Sequence, residues 1–450
     1  MDKVYKIRKG LDLRLEGEAE KTLRATLKAE RYAVSPAGFY GLVPRLQVKA
    51  GDHVRAGDAL FVDKADERVC VVSPVSGTVE EIARGDRRKL LYVSVRPDQV
   101  QDIKERPRLD LQKASGEDVK ALLLEAGLFA FFRQRPYDVV ASPKDTPKAI
   151  FVSAFSKMPL AADFTHVAEG QEAEFKAGIK ALAKMAPVYV GISPEQKSAA
   201  FVPTEDAEVN VFDGPNPSGN VGVQINHVAP VNKGEVVWTL GAEEVIFVGR
   251  LILTGRTNLM RRIAVAGSEI EHPAYVDARI GTPLKCILGD ELKRSEHVRI
   301  IEGNPLVGTK SSVDGYLGAH TTEICALPEG DDVDEAFGWM APRLKDFSTS
   351  RSYFSWLQGK QKRYNLDCRV KGGERHMIMS AEYERVFPMD IYPSYLIKAI
   401  ITGDIDRQEA LGIYEVAPED FAVAEFIDSS KLELQRIVRE GLDKLKKENS

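Results

Sequence analysis

The chain has 450 residues, 44% hydrophobic and 29% charged, with a formal net charge of −5. That length asks for about three domains of roughly 150 residues each, and the apolar content is enough for several cores, which excludes a disordered chain. The slight acidic excess and the scattering of Lys and Arg exclude a nucleic-acid partner.

The first organised stretch is Val48 to Val79, VKAGDHVRAGDALFVDKADERVCVVSPVSGTV. Apolar and polar residues alternate in its first half, with Gly51-Asp52 and Gly57-Asp58 as punctuation, the pattern of short strands joined by tight turns. Its second half, Ser73 to Val79, closes with the same cadence. These residues resemble the biotinyl and lipoyl carrier domains, in which a modified lysine sits at a hairpin tip, and Asp63-Lys64-Ala65 occupies that place. Asp66, Glu67 and Arg68 make the tip longer and more charged than a lipoyl hairpin. Lys64 is therefore read as unmodified, in a barrel-sandwich module that spans residues 1–105 with its lead.

Pro97 and Pro107 mark Arg96 to Leu111 as a linker. Ser115 offers an N-cap to a helix running to about Gly127, with Glu117 and Asp118 in its first turn. Strand-like runs then alternate with a helical one: Ala149–Ala154, a helix over 170–186, Val188–Gly191, Val209–Phe212 and Val236–Leu240. This alternation predicts a Rossmann-like α/β domain with a largely parallel sheet over 106–255. From Arg262 a strand, a turn at Glu271-His272-Pro273, a second strand, Gly281 and an apolar helix follow. They resemble the soluble-ligand-binding β-grasp family, with Ala274 where a glycine is usual; Val298–Glu302 and Tyr316–His320 would complete the sheet over 256–330. The remainder, 331–450, is expected to be a helical domain. Its last helix has Ser429 or Ser430 as cap, and Leu434, Ile437, Val438, Leu442 and Leu445 recur at helical spacing. The fold class is thus α/β multidomain.

Several motifs fall short of the chemistry they suggest. Gly303 to Ser311 nearly spells a phosphate-binding loop, but it carries one residue too many before Lys310, and SVDGYLG follows instead of a helix. No G-x-G-x-x-G is present, which argues against tightly bound NAD. Cys70, Cys286, Cys325 and Cys368 are far apart, and the seven histidines form no ligand pair, so no metal site is predicted. The start of the chain lacks a signal-peptide core and no apolar run approaches the roughly 20 residues of a membrane span, so a soluble, cytoplasmic chain is expected. Phe129, Phe131, Phe132 and Tyr137, interleaved with Arg133 and Arg135, could sandwich a flat, oxygen-bearing ring such as a quinone. They could equally fill the gap between helix and sheet.

In order, these parts resemble the NqrA family, one of the component chains of the sodium-translocating NADH:quinone reductases. The resemblance runs from Ile7-Arg8-Lys9-Gly10-Leu11-Asp12-Leu13 and Pro44 to Lys49 through Ser73 to Val79 and Ile82 to Gly85. It continues with Ala149 to Ala154, Pro159 to Asp163, Gly214-Pro215-Asn216-Pro217-Ser218-Gly219 and Gly338-Trp339, and ends at Tyr383 to Asp390. That family in turn resembles the flavin-bearing, NADH-oxidising subunit of respiratory complex I. Gly127-Leu128-Phe129-Ala130-Phe131-Phe132 stands where those relatives have a glycine-rich flavin loop, and Ala424 to Asp428 where some keep cluster cysteines.

The resemblance implies a chain without tightly bound cofactor, peripheral on the cytoplasmic face of the bacterial inner membrane. Its implied partners are five other subunits, including integral membrane ones, which carry the flavins, the iron–sulfur centres and the sodium path. Ubiquinone is the substrate of such a complex, and the family is associated with quinone binding and the step from semiquinone to quinol. Phe129, Phe131, Phe132, Arg133 and Tyr137 are the quinone-site residues read from the sequence. No paired carboxylate or histidine that would deliver the two protons is visible. A cofactor-free docking scaffold and a lipoyl or biotin carrier are the competing readings.

Overall fold

The computed structural model describes residues 3–203, 205–333, 343–351, 353–359 and 361–449; Gly338 and Trp339 lie outside the described residues. The lead does not stay with the N-terminal module. Its strands β1 (Lys3–Lys6) and β2 (Leu23–Thr26) are each the edge of a sheet that belongs to a later part of the chain.

The module itself is a barrel-sandwich of seven short strands: β3 (Tyr32–Val34), β4 (Pro44–Leu46), β5 (His53–Val54), β6 (Ala59–Asp63), β7 (Cys70–Val72), β8 (Gly77–Arg84) and β9 (Leu90–Pro97). One sheet runs β3-β9-β8-β5 and the other β4-β6-β7, with Leu60, Phe61, Val79, Val93 and Val95 buried. The two Ala-Gly-Asp turns are built alike. Gly51 and Gly57 have φ of 92° and 94°, a region open to glycine. Asp52 and Asp58 each accept from the backbone N–H three residues back, at 2.7 and 2.9 Å.

The α/β unit contains α1 (Gly116–Glu125), β10 (Arg133–Arg135), β11 (Val139–Val140), β12 (Ile150–Ser153), α2 (Phe164–Val167), α3 (Glu172–Leu182), β13 (Val188–Ile192), β14 (Glu208–Asp213), α4 (Val221–Val228), β15 (Val237–Thr239) and α5 (Ala242–Thr254). Ser115 caps α1 as predicted, in a reciprocal box with Asp118. The sheet order is β1-β14-β13-β12-β15-β10-β11, with the first five strands parallel and the last two antiparallel. After β12 the chain builds outward through β13 and β14, then returns to place β15 on the other side of β12, so the order reverses between β12 and β15. Helices α4 and α5 are not apparent in the sequence pattern; α5 is buried on nearly every side, including Glu243 and Glu244. It crosses α3 backbone to backbone, because a Cβ on Gly249 would lie 1.7 Å from Glu174 O and one on Gly178 2.2 Å from Val245 O.

The third unit has β16 (Met260–Ala266), β17 (Ala274–Arg279), α6 (Leu284–Leu288), β18 (Val298–Glu302), β19 (Thr309–Ser311) and β20 (Glu323–Pro328). They form a mixed sheet in the order β19-β18-β20-β16-β17-β2. Ala274 is the first residue of a strand and pairs with Val265, so no left-handed residue is needed there. The strand expected at Tyr316–His320 is instead a loop stitched to Gly281 and Thr282 by backbone hydrogen bonds, and the strand lies just beyond, at β20.

Helix is modest in the last part. Between 343 and 381 the described residues hold one short 3-10 turn, Phe354–Gln358, and the helices come only after it: α7 (Glu382–Val386), α8 (Pro393–Thr402), α9 (Ile405–Ala410), α10 (Ala422–Ile427) and α11 (Leu434–Glu448). Helix α11 is not capped by Ser429 or Ser430. Asp428 accepts from Ser430 N and Leu432 N in a turn, the helix begins after Glu433, and Ser430 pins the segment at Ile378. Leu434, Val438, Leu442 and Leu445 are buried together with Ile7, Phe155 and Phe212, which seats these helices against the α/β unit. No helix among the described residues is long and apolar enough to cross a membrane.

Candidate functional site

In an open parallel sheet, a crevice forms at the carboxyl ends of the strands where the order reverses, because the flanking connections leave in opposite directions. This chain has that crevice between the ends of β12 and β15. It is a cleft of about 560 Å³, walled by the segment after β12 (Phe155, Met158, Phe164), the end of β15 and the turn after it (Thr239, Leu240, Gly241) and the start of α4. The third unit closes it with Glu302, Asn304 and the 320–323 loop, and the C-terminal part with Glu419 and Gln435. Ser153, the last residue of β12, donates to Gly219 O at 2.7 Å and accepts from Gln224 Nε2 at 2.8 Å, fixing one wall. At Gly241, preceding α5, a Cβ would sit 1.9 Å from Glu244 Oε2, so a side chain there would have to displace the Glu244 carboxyl.

The polar half of the cleft is an assembly of buried acids. Arg261, fully buried, reaches both carboxylates at the start of α5: Nη1 lies 2.7 Å from Glu243 Oε2, and Nη2 contacts Glu244 Oε1. Burial pushes Glu243 up to about 7 despite Arg261. At Glu244 burial acts in the same direction, but Arg261 and His320 outweigh it and hold the carboxyl at about 2. One guanidinium facing two carboxyls thus leaves one acid ionised and the other ready to keep a proton. His320 lies 3.5 Å from Glu244 and burial pushes its imidazole down.

Glu323 is the second protonatable group. It is 4% exposed, and its carboxyl accepts from Thr322 Oγ1 at 2.7 Å, Ala162 N at 3.2 Å and Asn304 Nδ2 at 3.3 Å. Burial raises it above the ordinary glutamate range. Glu302 is raised for the same reason, although Ser311, Gly318 and Thr321 donate to it. On the opposite wall Arg135, 1% exposed, bridges Asp138 and Glu419, each at 3.3 Å. Beside it, burial pushes Asp420 up to about 7.

The residues singled out from the sequence divide into three groups. Phe131 and Arg133 line the cleft; Phe131 packs edge-on against Phe39, Phe247 and His320. Phe129 and Phe132 are fully buried behind it, stacked at 5.3 Å and set edge-on to Trp238, where they fill the space between helix and sheet. Tyr137 faces α11: its carbonyl accepts from Arg439 and its hydroxyl from Asn449. In the 127–132 loop the N–H groups of Gly127 and Leu128 donate back to Leu124 O and Leu123 O in α1, and those of Phe131 and Phe132 to Leu128 O and Phe129 O, which does not fit a phosphate cradle. Lys64 is exposed in the turn between β6 and β7, where Asp63 accepts from Val43 N and Ala65 N and Asp66 pairs with Arg68.

Sequence reasoning misses the acid assembly because Glu243, Glu302, Glu323 and Asp420 come from four separate elements. The one local signal is the Gly-Ala-Glu-Glu run after a strand end. Elsewhere the fold brings His297, Asp331 and Asp332 within 4.8 Å of one another, but all three are exposed and His297 is already paired with Asp331 at 2.8 Å.

Three family models match this chain: the "NqrA N-terminal barrel-sandwich hybrid domain" over residues 5–98, the "NqrA second alpha/beta domain" over 114–257 and the "NQRA C-terminal domain" over 262–313. Full-length similarity is found to the NqrA components of Na(+)-translocating NADH-quinone reductases. Those of Serratia proteamaculans and Photorhabdus laumondii are each 34% identical over 452 residues, covering 99% of this chain and all of the relative. That of Neisseria meningitidis serogroup B is 34% identical over 453 residues, with the same coverage. Among solved structures, a chain of an NAD+-reducing [NiFe]-hydrogenase aligns with a TM-score of 0.39 at 10% identity, over 74% of this chain and 62% of that one.

Proposed function

The chain belongs to the NqrA family of the Na(+)-translocating NADH-quinone reductases, and from that premise we propose that its switch-point cleft receives the quinone ring and supplies protons for its reduction. The chain is then a peripheral subunit on the cytoplasmic side of the membrane. Five partner subunits, some integral to the membrane, hold the flavins and iron–sulfur centres that deliver electrons and the path for sodium. No tightly bound cofactor is assigned to this chain, and Lys64 is left unmodified.

One observation carries this reading: the cleft sets an aromatic and apolar wall, Phe131, Phe155, Met158 and Phe164, beside carboxyl groups whose hold on a proton burial strengthens, Glu243 at about 7 and Glu323 above the ordinary glutamate range. Such a division suits a flat ring with two oxygens. Converting a semiquinone to quinol takes one electron and the protons that neutralise both ring oxygens. Electrons arrive from partner subunits, whereas protons must be held within hydrogen-bond reach of the ring. Glu323 and Glu243 are the donors in this scheme. Arg133, at the mouth, offers its guanidinium to a ring oxygen; Phe129 and Phe132 support Phe131 from behind, and Tyr137 fixes the β10–β11 turn against α11.

Photoaffinity labelling of the full chain with a diazirine-bearing quinone analogue tests the site. Saturable labelling within 131–133 and 153–164, competed by unlabelled ubiquinone, is expected. Saturable labelling elsewhere in the chain overturns this site, and no saturable labelling leaves the chain a docking scaffold whose complex binds quinone on a different component.

A further inference from the structure

At the far end of α5 from the cleft, about 20 Å away by helix rise, the chain forms a second, open cavity of about 600 Å³. It lies where the linker after the barrel, the end of α5 and the end of β17 meet. Its walls carry five arginines, Arg106, Arg108, Arg250, Arg256 and Arg279, against two carboxylates, Glu105 and Glu174. Arg256 is paired with Glu105, which leaves the rest short of negative charge.

One of these guanidiniums is withdrawn from water and two are partly so. The Arg106 side chain is 1% exposed, and its ion-pair partner among the described residues, Glu125, is 4.0 Å away at a mostly solvated position. Arg250 and Arg279 are half-buried and form no ion pair among the described residues. Burial pushes all three below the ordinary arginine range, as expected for cations that lack a nearby counter-charge.

Hydrogen bonding explains two of them in part. Arg106 donates to Gly57 O, Lys104 O, Glu125 O and Thr257 Oγ1, which ties down the end of α1, yet its Nε is buried with no hydrogen-bond partner among the described residues. Arg250 donates to Asn258 O and Met260 O beyond α5 and to Gln171 Oε1 at the start of α3. Arg279 has no such explanation. Among the described residues its side chain makes one long hydrogen bond, 3.4 Å to Pro74 O, of the five N–H groups a guanidinium carries. Arg279 lines the cavity with most of its donors free of protein partners among the described residues, so they are available to a ligand there.

We propose that this cavity is a binding site for a compact phosphate-bearing anion, with Arg279 as the principal contact and Arg106 and Arg250 held in place around it by the carbonyls they already bind. Paired guanidinium forks match phosphate oxygens in geometry as well as charge. The site is separate from the quinone cleft and does not depend on that reading.

The test is thermal unfolding and calorimetry of the full chain with pyrophosphate and with inorganic phosphate, against sodium chloride at equal ionic strength. A saturable rise in melting midpoint with pyrophosphate beyond the chloride control is expected. Arg279→Gln should weaken the apparent affinity at least about tenfold, while Lys64→Gln leaves it unchanged. Circular dichroism without anion checks that the variant is folded; if it is not, Arg279→Lys, which keeps the charge and loses the fork, takes its place and should also bind more weakly. No response beyond chloride, or equal affinity in a folded Arg279 variant, overturns the proposal.

Discussion

Arg261 Nη1 and Glu243 Oε2 sit 2.7 Å apart in a place where Arg261 is 0% and Glu243 3% exposed. The pair joins the start of α5 to the first strand of the third unit, and Arg262 N reinforces it by donating to Glu243 Oε1 at 2.7 Å. Because Arg261 also holds Glu244, one cation faces two acids and neutralises only one, and Glu243 is the acid that keeps a proton up to about pH 7.

That proton makes stability depend on pH in a definite direction. Glu243 titrates near 7 in the folded chain against an ordinary value of 4.5, so its contribution is full below about pH 4.5 and is lost as pH rises through 7. Glu244, held at about 2, contributes above about pH 4.5 and loses that contribution as pH falls toward 2. Glu243→Gln should therefore gain on the natural chain between pH 4.5 and 8, by up to about 3 kcal/mol. Urea unfolding of both proteins across that range measures the gap, and parallel curves would remove Glu243 as the proton holder.

Removing the cation is the harsher change. Arg261→Met leaves Glu244 buried without its partner, at a cost of about 3–5 kcal/mol near neutral pH. The loss should shrink as the medium is acidified toward pH 5, because the abandoned carboxyls can then take up protons. Chemical unfolding at pH 5 and pH 8 reads the difference; an equal loss at both would mean that packing, not charge, holds Arg261 in place.

The crossing of α3 and α5 sets the position of these acids through two glycines. Gly249→Ala would press a methyl against Glu174 O, a backbone atom that cannot rotate away, so the helices must separate. We expect a loss of at least about 1–3 kcal/mol from overpacking, together with weaker quinone labelling because the start of α5 moves. A neutral Gly249→Ala would show that the helices can separate freely.

How far the sequence discloses this arrangement depends on whether each signal is local. Helix α1 is legible because Ser115 and Asp118 complete each other within four residues. The β6–β7 tip is legible because its turn chemistry lies in adjacent positions. Helix α5 is not, since burial all round erases the polar face on which a helical period depends, and nothing periodic marks it after the strand that precedes it. The aromatic run at Phe129 to Phe132 shows a different limit. Composition locates an aromatic wall, but only the fold decides that Phe131 turns to the cleft while Phe129 and Phe132 stack under Trp238. Glu323 and Glu243, 80 positions apart, reach one cleft because β20 and β16 are paired in the sheet beside α5, a relation with no trace in spacing.

Separating wall from core gives a test of the site itself. Phe129→Ala should cost about 3–5 kcal/mol in stability through the cavity left under Trp238. Arg133→Gln, at a half-buried position on the cleft, should change stability by less than about 1 kcal/mol and still reduce labelling by the quinone analogue. Should Arg133→Gln label as well as the natural chain, the guanidinium does not meet the ring.

Glu323→Gln bears most directly on proton delivery. The substitution keeps the size of the side chain and an oxygen for Ala162 N and Thr322 Oγ1, so folding and quinone labelling should be preserved. What it removes is the acid. In the assembled complex, quinol formation should fall by about a hundredfold if Glu323 is a general acid, and the fall of the rate with rising pH should change shape, because the group that burial raises no longer titrates. Glu323→Asp retains the proton and should recover part of the rate. A complex carrying Glu323→Gln that makes quinol at the natural rate and with the natural pH profile would assign the protons to Glu243 or to a partner chain.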